Sequence, residues 1–284
     1  MKILDLQFTP LFIPYKKPYY WAQGITKGAE LILVTLITDK GIEGYGETIS
    51  TPSCNAILAL LNQVKNLIIG KYWILIETHC GVGLVATPPQ PNSAEFAKEL
   101  HVVKGQSTNK IIDFCYSQNA LKRAIGCATI NALINTTSLK LSSENGLDIN
   151  TNADERVVIV GRFPGLEQKL PNAYVIERNP GPKDYPERAA PQLIPKCDQL
   201  IITASTWVNG SLEPILNLVK NAQVSIIGPG TPMSPLLGRY GVSRLAGFIA
   251  TNPKKLSKVC LLYTSDAAEE GLGVDLGGRR IIKK

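Results

Sequence analysis

The sequence predicts an α/β protein: an α+β front region followed by a small parallel sheet. Three observations carry that expectation. Four short, β-rich apolar runs recur between residues 157 and 227, each followed by loop or helix sequence. Apolar and polar residues alternate through much of the first 48 positions, the period-2 signature of half-buried strands. With 284 residues, 44% hydrophobic and 19% charged, the chain can bury more than one core and is too apolar to be disordered.

The elements follow in order. Residues 3–14 and 29–39 read as strands, Asp39-Lys40-Gly41 as a turn, and residues 42–48 as a short third strand. A helix is expected next, opened by Pro52 and Ser53, with Ile57, Leu58, Leu61, Val64, Leu67 and Ile68 at helical spacing up to Gly70. Residues 72–77 and 82–87 read as a hairpin across His79-Cys80-Gly81, followed by a proline-rich turn at residues 88–91. The strongest helix pattern runs from Asn119 to Ile134, where Leu121, Ile125, Ala128 and Ala132 share a face and Gly126 lets a partner approach closely. Residues 145–155 are a polar, Asn/Asp-rich link. Strands are then expected at 157–160, 174–177, 200–203 and 224–227, with a fifth at 247–250. Apolar runs alternating with helices imply a parallel sheet covered on both faces, here a small Rossmann-like domain.

Ligands of such sheets bind past the carboxyl ends of the strands. Those ends supply the candidate ligand-binding residues Arg162, Phe163, Glu177, Thr203, Ser205, Gly228, Gly230 and Thr231. Gly161 would let backbone approach a ligand, Arg162 could meet an anion, and Glu177 ends the second strand, where a ribose-binding acid is placed in dinucleotide folds. The run Gly161-Arg162-Phe163-Pro164-Gly165 lacks G-x-G-x-x-G, and Pro164 removes an amide that would cradle a phosphate. Gly228-Pro229-Gly230-Thr231 is expected to line the pocket at the start of a helix near Met233. Thr203, Ser205 and Thr206 add hydroxyls, but no His follows to activate them, so no catalytic residue is assigned.

The formal charge is +7. Lys and Arg outnumber Asp and Glu by 13 to 8 over residues 152–259. No basic run is longer than a pair such as Lys254-Lys255, too little for nucleic acid, so a small anionic ligand is the expected partner. No apolar run reaches the roughly 18 residues that span a bilayer, and Asp5 stands where a signal peptide would be greasy. The expectation is a cytoplasmic protein without a membrane partner; an oligomer is compatible with the sequence. The six cysteines, Cys54, Cys80, Cys115, Cys127, Cys197 and Cys260, form no C-x-x-C pair. They read as reduced, packed thiols. His79-Cys80 is the only adjacent His/Cys pair, and it reads as an exposed turn rather than a metal site.

Two resemblances join these readings. Residues 1–70 resemble the amino-terminal capping domain of the mandelate racemase and muconate lactonising branch of the enolase superfamily. The carriers are Ile13-Pro14 with the aromatic-basic stretch after it, the run from Val34 to Glu47, and Ile69-Gly70-Lys71. That resemblance implies two loops, Tyr15–Lys27 and Thr48–Cys54, that close over substrate. It also implies a catalytic barrel with a Lys-x-Lys base and acidic magnesium ligands. The sequence beyond Gly70 has no Lys-x-Lys and is too short for a barrel of about 250 residues.

Residues from about 70 to 259 resemble the family called "putative heavy-metal chelation domain". The matching segments are Gly81–Leu84, Ala124–Ala132, Val160–Glu167, Cys197-Asp198 and Ile227–Leu237. Lys122 departs from the acidic residue expected there. This resemblance implies a cap-like domain paired with a Rossmann-like one, and a metal ion or small organic ligand as cofactor. Residues 260–284 resemble translated sequencing adaptor and are expected to lack a place on the sheet.

The expected organisation is thus an enolase-cap-like segment at 1–70, a hairpin-plus-helix domain at 71–150, a Rossmann-like domain at 151–259 and a non-native tail. The join near Gly70 is open between a misjoined fragment and a natural fusion. A binding protein of the chelation-labelled family leads. An enzyme on that scaffold using an organic cofactor and an enolase-superfamily fragment without its barrel are the alternatives.

Overall fold

The computed structural model describes residues 3–21, 24–49, 63–89, 99, 101–137, 139, 145–152, 154–252, 256–257 and 279–283. It divides into two units, Met1–Gln63 and Val64–Lys284.

The first unit is an antiparallel meander of β1 (Ile3–Trp21), β2 (Gly24–Thr38) and β3 (Glu43–Ile49), in that order. The β1–β2 ladder runs on past the expected strand ends, with Tyr19 opposite Thr26 after an irregularity between Pro14 and Tyr19. Most of residues 15–27, expected as a closing loop, therefore form a ribbon. Thr48 and Ile49 belong to β3, and residues 50–54 of the second expected loop lie outside the described residues. β1 is an edge strand, and Pro10 and Pro14 stand in its ladder. A proline is tolerated there where its missing N–H faces outward.

The second unit opens with an antiparallel sheet of β4 (Asn66–Ile69), β5 (Trp73–Glu77) and β6 (Val82–Ala86). The hairpin is as expected, but residues 66–69 are a strand, not the end of a helix. Leu67 pairs with Ile76 and Ile69 with Ile74, so the ladder and burial of Leu67 and Ile68 outweigh a weak helical period. The first part of the helix expected from Pro52 to Gly70, residues 52–62, lies outside the described residues.

Among the described residues, the helices α1 (Thr108–Ile112) and α2 (Ala120–Ile134) follow. Asn119 caps α2 by accepting the Lys122 N–H at 3.0 Å. Glycine lets both sides of α2 be approached closely. A Cβ on Gly83 of β6 would lie 1.9 Å from the Ala128 carbonyl oxygen, and one on Gly126 would lie 2.4 Å from the Cys115 nitrogen. The Arg123 guanidinium reaches the Val208 carbonyl at 2.8 Å and the Ser117 carbonyl at 3.0 Å. Cys127 is buried in this core, and desolvation pushes its thiol up to about 12, as suits a packing residue. The four described cysteines are free thiols.

The link at 145–155 is less polar in place than in sequence, because Gly146 and Leu147 are buried. A Cβ on Gly146 would meet Ile227 and Ala246 side chains at 2.7 Å. Beyond it lie β7 (Val157–Val160), α3 (Leu166–Lys169), β8 (Tyr174–Glu177), β9 (Tyr185–Pro186) and α4 (Ala190–Leu193). They are followed by β10 (Gln199–Thr203), α5 (Ser205–Asn209), α6 (Leu212–Leu216), β11 (Gln223–Ile227), β12 (Val242–Phe248) and β13 (Arg279–Lys283).

The sheet order is β13-β12-β11-β10-β7-β8-β9. Six strands are parallel, and β13 joins the edge antiparallel. Apolar side chains cover both faces: Val158, Leu200, Ile202 and Ile226 pack in one layer, and Val157, Ile159, Val175 and Ile201 in the other. The four predicted parallel strands stand where expected.

The fifth strand begins at Val242 rather than Gly247. Its polar Ser243-Arg244 broke the apolar run, yet Arg244 is nearly buried and reaches the Asn145 carbonyl. Residues 279–283 do have a place on the sheet, contrary to expectation, because the free edge of β12 offers backbone partners to a strand-forming Ile281-Ile282 pair.

Candidate functional site

The chain leaves β7 toward β8 on one side and returns to β10 on the other, so the order reverses between β7 and β10. In open α/β sheets that reversal opens a crevice at the strands' carboxyl ends. Gly161, just after β7, has φ +92°, and a Cβ there would lie 2.5 Å from Thr203 Cγ2 at the end of β10. Both facts require glycine at this position. Gly228, just after β11, has φ +132° and lies against Ala204.

Several predicted residues meet at this end. Thr203 is half-buried, its Oγ1 accepting the Ser205 N–H at 3.4 Å, and Ser205 is exposed. The Glu177 carboxylate accepts the Arg162 N–H at 2.9 Å and the Arg178 N–H at 2.8 Å, so it ties the two strand-end loops together. The Arg162 guanidinium pairs with Asp184, Nη2 to Oδ1 at 2.5 Å, and with Glu167. Phe163 is half-buried against the layer containing Val157 and Ile159.

Gly230 and Thr231 are placed differently. Thr231 is fully buried, with its hydroxyl 2.8 Å from the Gly228 carbonyl and 3.0 Å from that of Ala246. The Gly230 carbonyl accepts from Asn131 Nδ2 at 2.8 Å. A Cβ on Gly230 would meet the Leu84 carbonyl and Val85 at 3.4 Å. Both residues thus hold the strand-end loop against β6 and α2. The helix expected near Met233 is a short 3-10 helix, Pro235–Tyr240, opened by Pro235 and ended by Gly241 in the left-handed region.

Sequence reasoning missed Asp184 and Asn135. Asn135 Nδ2 donates to the Thr231 carbonyl at 2.9 Å, and its Oδ1 accepts the Met233 N–H at 2.8 Å. Asn131 inside the apolar second half of α2 and Asn135 at its C-terminal cap, four residues apart, were the available signal. Asp184 follows Gly181 in a short turn and accepts its N–H at 2.9 Å.

The Arg162 guanidinium holds the Asp184 carboxyl below its ordinary range, and hydrogen bonds from its own backbone and Arg162 do the same for Glu167. A carboxylate lowered in the folded state stabilises above its unfolded pKa, and that stabilisation is lost as pH falls through the folded value. Thermal stability is therefore expected to fall on acidification below the ordinary carboxylate range, and less steeply in Asp184→Asn. Melting curves across pH 2 to 6 check this; identical slopes would refute it.

Among the described residues no three His, Cys, Asp or Glu side chains converge to hold a metal. His79 is exposed beside half-buried Cys80, and desolvation and Lys65 lower its pKa. A cavity of about 260 Å³ lies at the opposite, amino end of the strands, lined by residues including Thr151, Glu155, Lys169 and Asn172. Among the described residues no helix is long and apolar enough to cross a membrane.

Comparison with known proteins places both halves of the second unit. Residues 145–261 match the family model DUF364 and residues 61–134 match DUF4213, each described as "Putative heavy-metal chelation". A solved structure of a protein with unknown function from the DUF364 family of Desulfitobacterium hafniense aligns at TM-score 0.68 and 27% identity. It covers 78% of this chain and 91% of that one. A second, from Pyrococcus horikoshii, aligns at 0.62 and 25%, covering 81% and 97%.

The uncharacterized Methanocaldococcus jannaschii protein MJ0500 is 24% identical over 162 residues. The match spans 52% of this chain and 62% of that protein, under two thirds of its length. A dipeptide epimerase from Methylococcus capsulatus aligns at TM-score 0.20 and 15% identity, below the level that speaks to fold.

Proposed function

Because the chain carries both regions described as "Putative heavy-metal chelation", we propose that it is a small-ligand-binding protein whose site is the crevice at the carboxyl ends of β7, β10 and β11. The observation that supports this is the order reversal between β7 and β10, with Gly161 kept bare against Thr203. Thr203, Ser205 and Gly228 supply the floor, with Arg162, Phe163 and Glu177 on the rim. Gly230 and Thr231 act behind it by fixing the loop to β6 and α2.

The ligand is a small organic molecule with an anionic or hydroxyl-bearing end. Hydroxyls, backbone and one arginine suit such a group, and soft metals need clustered thiolates or imidazoles. The family description favours a metal ion as the second reading. The 71–150 and 151–259 division is retained as a proposal, the first part acting as a cap.

Native mass spectrometry of the full chain with elemental analysis tests the choice. A bound organic mass at one per chain is expected, weakened about tenfold by Thr203→Val, the scale of one lost hydrogen bond. Stoichiometric metal without an organic mass would favour the second reading, and an organic ligand indifferent to Thr203→Val would move the site elsewhere.

A further inference from the structure

The Arg162 side chain reaches out from the first strand-end loop, and what holds it is a piece of the same chain. Its Nη2 lies 2.5 Å from Asp184 Oδ1 and its Nε 3.3 Å from Oδ2. This is the two-pronged fork by which arginine takes a phosphate or carboxylate. Glu167 of α3 pairs with the remaining nitrogen, Nη1. Glu177, from the end of β8, takes only the Arg162 main-chain N–H.

Exposure differs sharply across the pair. The Asp184 side chain is 2% exposed and the Arg162 side chain 42%. The half-exposed guanidinium can be approached by a second anion, and Asp184 pairs with it only at the cost of holding a carboxylate out of water, a cost that is relieved if the aspartate is released to solvent. Asp184 is carried on a tight turn, its N–H donating to the Gly181 carbonyl at 3.0 Å while its Oδ2 accepts the Gly181 N–H. The turn sits in the β8–β9 connection and is tied to the β7 loop by this pair.

We propose that Asp184 is an intramolecular competitor for Arg162: an anionic ligand enters the strand-end crevice by displacing the aspartate and releasing the 181–184 turn. This rests on the strand-end reading of the site. It adds that the ligand carries a phosphate- or carboxylate-like group and that the free protein partly inhibits its own binding. Arg162 is then a binding residue whose strength is masked until Asp184 leaves.

The test uses the full-length chain and inorganic pyrophosphate, by titration calorimetry together with hydrogen–deuterium exchange over residues 178–186. Asp184→Asn should bind pyrophosphate about tenfold more tightly than the parent, because a neutral amide competes poorly for a guanidinium. Adding Arg162→Ala should abolish the gain. In the parent, pyrophosphate should speed exchange at 181–184, a readout that does not require the variant to fold.

Equal pyrophosphate affinity in parent and Asp184→Asn, both weakened by Thr203→Val, would overturn the competitor and leave the strand-end site standing. A gain that survives Arg162→Ala would also overturn it. No binding by any chain, with exchange at 181–184 unchanged, would remove the competitor and the anionic-ligand reading together.

Discussion

Gly83→Ala is expected to remove a large share of the stability of the Val64–Lys284 unit. The added Cβ would lie 1.9 Å from the Ala128 carbonyl oxygen and 2.4 Å from the Ala132 nitrogen, both in the middle of α2. Neither can turn away, because each is backbone. β6 has little room to retreat, since Val82, Leu84 and Val85 are buried. Overpacking ordinarily costs 1–3 kcal/mol. A backbone-on-backbone collision of this depth should reach on the order of 4 kcal/mol, against a total near 5–15 for a typical domain. Urea denaturation followed by circular dichroism checks it. Gly46→Ala is the control, as a Cβ there meets nothing within 4 Å. A Gly83→Ala midpoint near the parent's would show that the sheet and helix can part without loss.

Asn135→Leu is expected to cost roughly 3–5 kcal/mol, since it strands a buried acceptor and a buried donor at 1–3 each and puts two tetrahedrally splayed methyls where a flat amide fitted. The lost bonds are those to the Thr231 carbonyl and from the Met233 N–H, in surroundings where Asn135 is 3% exposed. The shift should appear in the urea midpoint with little change in slope. A loss under about 0.5 kcal/mol, typical of surface changes, would mean that the loop repairs its own hydrogen bonds.

The parallel sheet was legible because its strands are short apolar runs buried on both faces, such as Val157–Val160 with turn sequence on either side. β9 was not, since two residues, Tyr185 and Pro186, carry no period. β4 was misread because Ile57, Leu61, Val64 and Leu67 fit a helical stripe, and only pairing with β5 reveals the strand.

At the site, glycines announce themselves: Gly161 and Gly228 follow apolar runs, and both have positive φ. The Arg162 partnership could not be read, because Asp184 lies 22 residues away and only the β8–β9 connection brings it back. Gly230 and Thr231 read in the sequence as pocket wall, but what they press against depends on α2, about a hundred residues earlier.

That last separation bears on how the chain is made. Asn131 and Asn135 bond to carbonyls at Gly230, Thr231 and Phe248, between 96 and 113 residues downstream. During synthesis α2 leaves the ribosome with Asn131 able to reach only the earlier Leu84 carbonyl and with Asn135 at its end still without the Thr231 and Met233 groups it bonds, and it waits for most of the parallel sheet to be translated. Contacts of such long range slow the final docking and leave apolar surface open meanwhile. The nascent protein therefore passes its most aggregation-prone interval late, when β12 completes the surface that α2 has been waiting to meet.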